Sequence, residues 1–434
     1  MDKMADVLGR AGAWCGQNKY LSAIKNAFQN FMPLTIAGAI GVLWCNVLVN
    51  DQTGLGLFFK PIMALDFLNP AFQAVNFCTI SCITVGITLG IAQEIGVWNM
   101  GAEKAGYIPG LVGLAAWLSV TNTSHMVEGA KEAFTGIAGN ELGATGLFTG
   151  MIIGVLSVEL FCFFEKQDAL KIKMPEQVPP GVARAFEVLV PATITLIITA
   201  CIGSACYNLT GLYLNDVIKN GIQGPLGAVG ATIPGVMIIY LVIMLFWLVG
   251  IHGNNMLSAV KEALFTPLAL ENVEKFNKGE KPTNIINMYA LQMWGEFGGS
   301  GVTIGLVIAI MIFGKREDNK AIASLSLVPG LFNINETVTF GIPMVLNPIL
   351  GIPFVFACLV TILVGYVLTV IGFCPVACLT VPWTTPPIVF GFLATGANVM
   401  GAVTQAILIV VSTVIYVPFL IAYEKYQNKQ AAEA

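Results

Sequence analysis

Residues 337–423 read TVTFGIPMVLNPILGIPFVFACLVTILVGYVLTVIGFCPVACLTVPWTTPPIVFGFLATGANVMGAVTQAILIVVSTVIYVPFLIAY, and these 87 positions contain no Asp, Glu, Lys, Arg or His. A soluble domain carries about 25% charged residues, so a water-facing surface cannot be made from such a run. It is long enough for several helices of about 20 residues, the length that crosses a hydrocarbon core of about 30 Å. Prolines at 343, 348, 353, 375, 382, 386 and 387 interrupt it, which excludes a plain row of straight helices. Irregular backbone at membrane depth survives only where protein or a wet cavity satisfies its polar groups. Segments 333–348 and 374–395 are therefore expected to be re-entrant hairpins lining a cavity.

The rest of the chain agrees. Of its 434 residues, 56% are hydrophobic and 11% charged, and the mean hydropathy is +0.79. Nine apolar windows stand out, at 31–49, 77–93, 106–120, 147–164, 188–209, 233–250, 302–313, 349–372 and 399–422, the third and seventh short. The fold class is an all-α integral membrane protein. A net charge of −4 without a basic tract gives no sign of nucleic-acid binding. The ten cysteines are scattered and mostly inside apolar runs, which reads as reduced and buried. Cys374 and Cys378 are close, but no His or second Cys pair stands near them, so neither a metal site nor a disulfide framework is expected, and no cofactor. Residues 1–20 set Lys3, Arg10 and Lys19 among Leu8, Trp14 and Tyr20 without an apolar core, as a surface-lying amphipathic segment would.

Short loops rich in Lys and Arg face the cytoplasm. Lys3, Arg10, Lys19 and Lys25 precede the first window; Lys166, Lys171, Lys173 and Arg184 follow the fourth. Four crossings separate the two groups, so both fall on the cytoplasmic side. Two more crossings return His252 there. The run from Lys315 to Lys320 also looks cytoplasmic, which demands an extra crossing or a re-entrant piece between 255 and 298. The Pro-rich loop 166–180 reads as a linker, and the chain divides into a bundle over 1–211 and a second half, 212–434, that holds the conspicuous polar features.

Candidate chemistry is sparse. Only two histidines occur, His125 and His252. His125 lies in a polar loop and reads as solvated. His252 ends an uncharged run between Gly250-Ile251 and Gly253, and an ionisable group there is a functional-site candidate. Glu336 opens the long uncharged stretch. An unpaired carboxylate in lipid costs several kcal/mol or takes up a proton, so it must meet a partner, water or a ligand. Further candidates are the glycine-dense run 294–301, which would let backbone approach a ligand or would equally serve as a tight helix-packing turn, and Trp383 in a Pro-Trp-Thr-Thr-Pro-Pro kink. An aromatic plane is a common grip on a sugar ring, but a tryptophan at a membrane interface is the bland alternative, and Trp247 faces the same choice. Glu159 and Glu187, near helix ends beside the 166–184 loop, read as structural pairs or as snorkelling side chains. The chain has neither a Walker-type loop nor the motifs of zinc proteases or α/β-hydrolases.

Taken in order, Gly250-Ile251-His252-Gly253, Gly298-Gly299-Ser300-Gly301, Phe332-Asn333-Ile334-Asn335-Glu336 running into Phe340-Gly341-Ile342-Pro343 and Asn347-Pro348, and Pro382-Trp383-Thr384 resemble one family. It is the IIC membrane component of bacterial sugar phosphotransferase systems, in the lactose/cellobiose/diacetylchitobiose branch. The likeness covers nearly the whole chain, including Ala23-Ile24-Lys25-Asn26 through Met32-Pro33-Leu34. Thr337 departs from it, where the family often has proline; this should loosen the hairpin without touching the carboxylate.

The resemblance implies about ten transmembrane helices in a bacterial plasma membrane, both termini in the cytoplasm, and a homodimer in membrane lipid, packed through the N-terminal half. The C-terminal half would bind a β-linked disaccharide of the cellobiose or diacetylchitobiose type. A soluble IIB subunit would donate phosphate from a cysteine; no soluble domain with such a cysteine appears in this sequence, so a separate polypeptide is expected to carry it. Glu336 would take the proton of the sugar 6-hydroxyl, and His252 would hydrogen-bond the same group. Asn335, Trp383, Trp247 and Gly299 would contact or shape the bound sugar. Two alternatives from the residues alone are a proton-coupled secondary sugar transporter using Glu336 and His252, and a membrane-embedded enzyme or partner subunit without transport of its own.

Overall fold

Each of the nine apolar windows falls within helical structure in the computed structural model, which describes residues 10, 13–14, 17–51, 55–125, 134–175, 177–342 and 344–433. The surface segment expected over 1–20 lies largely outside these residues. Among the described residues, six helical stretches are long and apolar enough to span a bilayer: Lys19–Leu48, Lys60–Met100, Ala144–Glu165, Pro180–Thr210, Gly351–Val370 and Val399–Glu433. A seventh follows if Met288–Val302 and Ile304–Phe313, bent by 59°, count as one. Ile108–Val120 and Ile233–Leu248 are apolar but shorter. The helical, multi-pass architecture stands; length and apolarity alone give six or seven spans rather than about ten.

The chain forms two compact units, Gln17–Gly38 with Val75–Ala228, and Ala39–Ala74 with Val229–Ala434. The main break thus falls at 228/229, beside the 211/212 division drawn from the sequence, and a short early segment joins the later unit. In the first unit, most of helix α1 (Lys19–Leu43) is followed by α2 (Ile83–Met100), α3 (Ile108–Val120), α4 (Ala144–Glu165) and α5 (Pro180–Thr210). Small residues let α2, α3 and α4 approach closely, as they commonly do between membrane helices. A Cβ on Gly96 would come within 2.2 Å of Pro109, one on Gly113 within 2.3 Å of Ala92, and one on Gly150 within 2.2 Å of Thr88. Charges gather at one end and pair. Lys19 meets Glu159 at 2.6 Å, while Lys104 and Arg184 both meet the buried Glu165, at 2.8 and 3.0 Å. Arg184 also meets Glu187 at 2.7 Å. The structural pairing read for Glu159 and Glu187 is what the fold contains. His125 sits in a two-residue strand paired with Phe134–Thr135, its ring 5.6 Å from that of Phe134.

The second unit continues with α6 (Ile233–Leu248), α7 (Ser258–Asn277), α8 (Met288–Gly295), α9 (Ile304–Phe313), α10 (Glu317–Leu331), α11 (Glu336–Gly341), α12 (Gly351–Val370), α13 (Val389–Ala394) and α14 (Val399–Glu433). Helix α14 is its spine, packing against α9, α12 and α13. Of the first expected hairpin, 333–335 is turn and irregular chain, Glu336–Gly341 a six-residue helix and 344–348 turn and irregular chain, while 374–388 has no helix. Such backbone must find partners other than its own turn, and polar side chains supply them. Gln405 Oε1 accepts the N–H groups of Ile388 and Gly391, each at 2.7 Å, and its Nε2 donates to the Met293 carbonyl at 3.2 Å. Asn272 and Asn287 both donate to the Ala377 carbonyl, at 3.0 and 3.1 Å. At the far end of α14, the buried Glu424 accepts the N–H groups of Lys315 and Arg316 at 2.9 and 3.3 Å, and the side-chain amide of Asn319 at 3.2 Å.

Candidate functional site

Helix α6 ends where Gly250 turns into the left-handed region at φ +81°, a conformation glycine adopts without the Cβ penalty. The turn delivers His252 as the cap of the next helical turn, Gly253–Met256. His252 Nδ1 accepts the N–H of Asn255 at 3.2 Å. In a neutral imidazole the accepting nitrogen carries no proton, so the proton is assigned to Nε2. Trp247 braces the ring from behind, centroids 4.4 Å apart. Gly253 is seated so tightly that a Cβ would stand 2.0 Å from the Ile243 carbonyl oxygen.

Glu336 comes from a different construction. Helix α10 closes through bonds from Asn333 N–H to Gly330 O and from Ile334 N–H to Pro329 O, each 3.0 Å. Asn333 then takes φ +62°, the left-handed position that often ends a helix and that asparagine tolerates. Helix α11 starts afresh with Asn335 as its cap and Glu336 as its first residue. Thr337 falls in the first turn, where either threonine or proline fits.

These two turns bring the two candidate groups together. His252 Nε2 and Glu336 Oε1 are 3.9 Å apart, and both side chains stay open, 37% and 47% exposed. Such a gap is too long for a direct hydrogen bond. One oxygen atom between them can reach both at hydrogen-bond distance.

The remaining candidates lie at different depths. Asn335 is buried and donates from Nδ2 to the Ser300 carbonyl at 2.8 Å. Gly299, at φ +87°, lies so near it that a Cβ would meet the Asn335 Cβ at 2.6 Å. The turn holding Gly299 is fixed further by Thr303 Oγ1 donating to Gly298 O at 2.7 Å and Tyr416 OH donating to Gly301 O at 2.8 Å. Trp247 is 3% exposed, whereas Trp383 is 45% exposed and is the one with an open aromatic face.

Sequence reading missed three elements. Lys261 is buried and forms an ion pair with Glu296, whose Oε1 also accepts the Tyr240 hydroxyl at 2.7 Å. Lys261 sits in a helix of ordinary mixed composition, so nothing marked it out. Asn254 donates to Ser300 Oγ at 2.9 Å, tying the histidine turn to the glycine turn. Asn333 was quoted only as part of a motif, although its side chain joins three segments.

A multi-pass helical membrane protein with a lone acid and a lone imidazole facing one open site belongs to the class of carriers for small polar molecules. Comparison with known proteins makes this specific. Residues 25–358 match the family described as "Phosphotransferase system, EIIC", and the chain belongs to that family: it is a sugar permease of the phosphotransferase type. It is 33% identical over 429 residues to the oligo-beta-mannoside-specific EIIC component of Bacillus subtilis (strain 168), covering 98% of this chain and 94% of the relative. It is 29% identical over 486 residues to the cellobiose-specific EIIC component of Lactococcus lactis subsp. lactis (strain IL1403), covering 98% of both. The crystal structure of the transporter ChbC, the IIC component from the N,N'-diacetylchitobiose-specific phosphotransferase system, superposes with a TM-score of 0.88 at 29% identity, covering 97% of each chain.

Proposed function

We propose that this permease binds a β-linked disaccharide and holds its 6-hydroxyl between His252 and Glu336 for phosphorylation by a IIB component. The observation that carries the reading is the 3.9 Å gap between Nε2 and Oε1, with both groups open. A hydroxyl oxygen there accepts from the Nε2 proton and donates its own proton to the carboxylate. The relatives that act on cellobiose and diacetylchitobiose, by their names, support the choice of sugar.

In the transfer, the hydroxyl oxygen forms the new O–P bond while the S–P bond to the donor cysteine breaks. The hydroxyl proton passes to Glu336 and from there to the departing thiolate. General-base help of this kind contributes typically about 10²–10⁴-fold. Phosphoryl transfer otherwise asks mainly for positioning. His252 orients the oxygen, the open ring of Trp383 covers the sugar's apolar face, and Asn335, Gly299 and Trp247 shape the pocket from behind.

For topology we infer ten crossings, the nine apolar windows together with α7. This places both termini, the Lys166–Arg184 loop and Lys315–Lys320 in the cytoplasm, which satisfies the distribution of basic residues. The 1–211 half would form a homodimer in the lipid, and the 212–434 half would carry the sugar.

In sealed vesicles, sugar phosphate accumulates only when phosphorylated IIB is supplied, and Glu336→Gln abolishes phosphorylation while leaving substantial binding. Full phosphorylation by that variant would remove the carboxylate from the mechanism. The pair would also suit a proton relay; uptake of unmodified sugar driven by a pH gradient alone would establish that reading instead.

A further inference from the structure

Asn333 contacts neither candidate catalytic group, yet its amide is fully used by backbone from two other segments. Its Oδ1 accepts the Gly298 N–H at 2.6 Å, and its Nδ2 donates to the carbonyls of Trp383 and Thr385, at 2.5 and 3.1 Å. The residue stands at φ +62°, between the end of α10 and the start of α11. Three pieces of irregular chain meet at this one side chain: the glycine turn at 298–301, the Trp383 kink, and the turn that launches Glu336.

We propose that Asn333 is a positioning residue that sets Trp383 and Glu336 at the spacing a disaccharide requires. The proposal rests on the sugar-binding reading of those two residues. Its physical basis is the demand at this point, one acceptor and two donors on a short side chain. Among the neutral short side chains only asparagine supplies that set, and it is one of the few non-glycine residues at ease in the left-handed region. Aspartate has the same shape but would turn a carboxylate oxygen toward two carbonyls. Glycine keeps the backbone at ease and removes all three bonds.

The test uses the full-length protein in lipid nanodiscs, with labelled cellobiose and diacetylchitobiose as probes. The dissociation constant is measured on the folded, monodisperse fraction of wild type, Asn333→Asp, Asn333→Gly, Trp383→Ala and Glu336→Gln, together with phosphorylation by phosphorylated IIB at saturating sugar. Both Asn333 variants should weaken binding about tenfold, the consequence of losing three hydrogen bonds together worth about one such factor. Both should also slow phosphorylation, because Glu336 no longer faces the hydroxyl at the right place.

A pH series supplies a readout that a merely structural role would not move. Protonated aspartate offers one O–H and one acceptor, so Asn333→Asp should regain affinity as pH falls, relative to wild type at each pH, and Asn333→Gly should not. Wild type measured at each pH is the reference, so that effects common to all the proteins cancel. Wild-type affinity in Asn333→Gly, with Trp383→Ala weakened and Glu336→Gln unable to phosphorylate, overturns this proposal alone. Wild-type behaviour of Trp383→Ala and Glu336→Gln overturns the pocket reading and this proposal with it.

Discussion

The His252 imidazole is set by a backbone amide three residues further along the chain. Because Asn255 N–H occupies Nδ1, the Nε2 proton is committed to the open side, and the ring acts there as a donor. A single hydrogen bond contributes about 0.5–1.5 kcal/mol net, so His252→Ala should weaken disaccharide binding about two- to tenfold, and His252→Gln, which keeps an N–H donor, should lose less. Titration calorimetry on the purified protein would measure both; equal affinity for all three proteins would take the imidazole out of the site. Gly253 is constrained more severely. Its Cβ would lie 2.0 Å from the Ile243 carbonyl oxygen, and overpacking of this sort costs about 1–3 kcal/mol or forces the turn to move. Gly253→Ala should therefore lower the thermal midpoint and weaken binding together, read by thermal unfolding with and without sugar. His252 and Glu336 were legible in sequence because a charge in an apolar run has few harmless explanations. Asn333, Asn254 and Lys261 were not, since their partners lie at least 35 positions away and an amide or a lysine is unremarkable until the chain has folded.

At the level of elements, the apolar windows announced the helices, and the prolines at 348, 375, 382, 386 and 387 fall where helix is absent, although Pro353 and Pro418 lie inside helices. What the pattern did not reveal is how the failed stretches are held. Gln405, in the middle of a spanning helix, accepts two N–H groups around Ile388 and donates to the Met293 carbonyl, so it serves as a substitute for the missing helical ladder around 388–391. Gln405→Leu keeps the volume roughly constant and strands these backbone groups, at about 1–3 kcal/mol for each one left unsatisfied. The expected outcome is a clear fall in thermal midpoint in detergent, with less protein surviving extraction. An unchanged midpoint would mean that other groups satisfy this backbone. Nothing in the sequence singles out Gln405, and only the tertiary arrangement assigns it to the backbone around 388–391. Helix α7 was hidden for a related reason: Lys261, Glu262, Glu271, Glu274 and Lys275 make it look like a soluble segment, although Lys261 is paired with Glu296 inside the protein.

For the molecule as a whole, charge distribution is the basis of the proposed orientation. The cluster Lys19–Glu159, Lys104–Glu165 and Arg184–Glu165 gathers at one end of the first unit, in keeping with a cytoplasmic face rich in Lys and Arg. A fluorescent protein fused after Ala434 should glow, and alkaline phosphatase at the same place should stay inactive; the reverse result would invert the proposed topology. Light scattering in nanodiscs should give a protein mass twice the 46.2 kDa of one chain, and a single-chain mass would remove the dimer. The basic residues give the first four windows a consistent order of sides in the proposed topology. The later windows resisted because the chain there forms a pair of helices, Met288–Val302 and Ile304–Phe313, bent by 59° instead of one straight apolar helix.

Glu424 gives the last helix a reach beyond its own packing. Its carboxylate gathers two main-chain amides and the Asn319 side chain, so the tail clasps the chain where it re-enters after α9. Shortening the protein to Tyr423 would discard the clasp along with the tail, whereas an affinity handle placed after Ala434 leaves it closed. Anyone trimming this permease for crystals should stop well past Glu424.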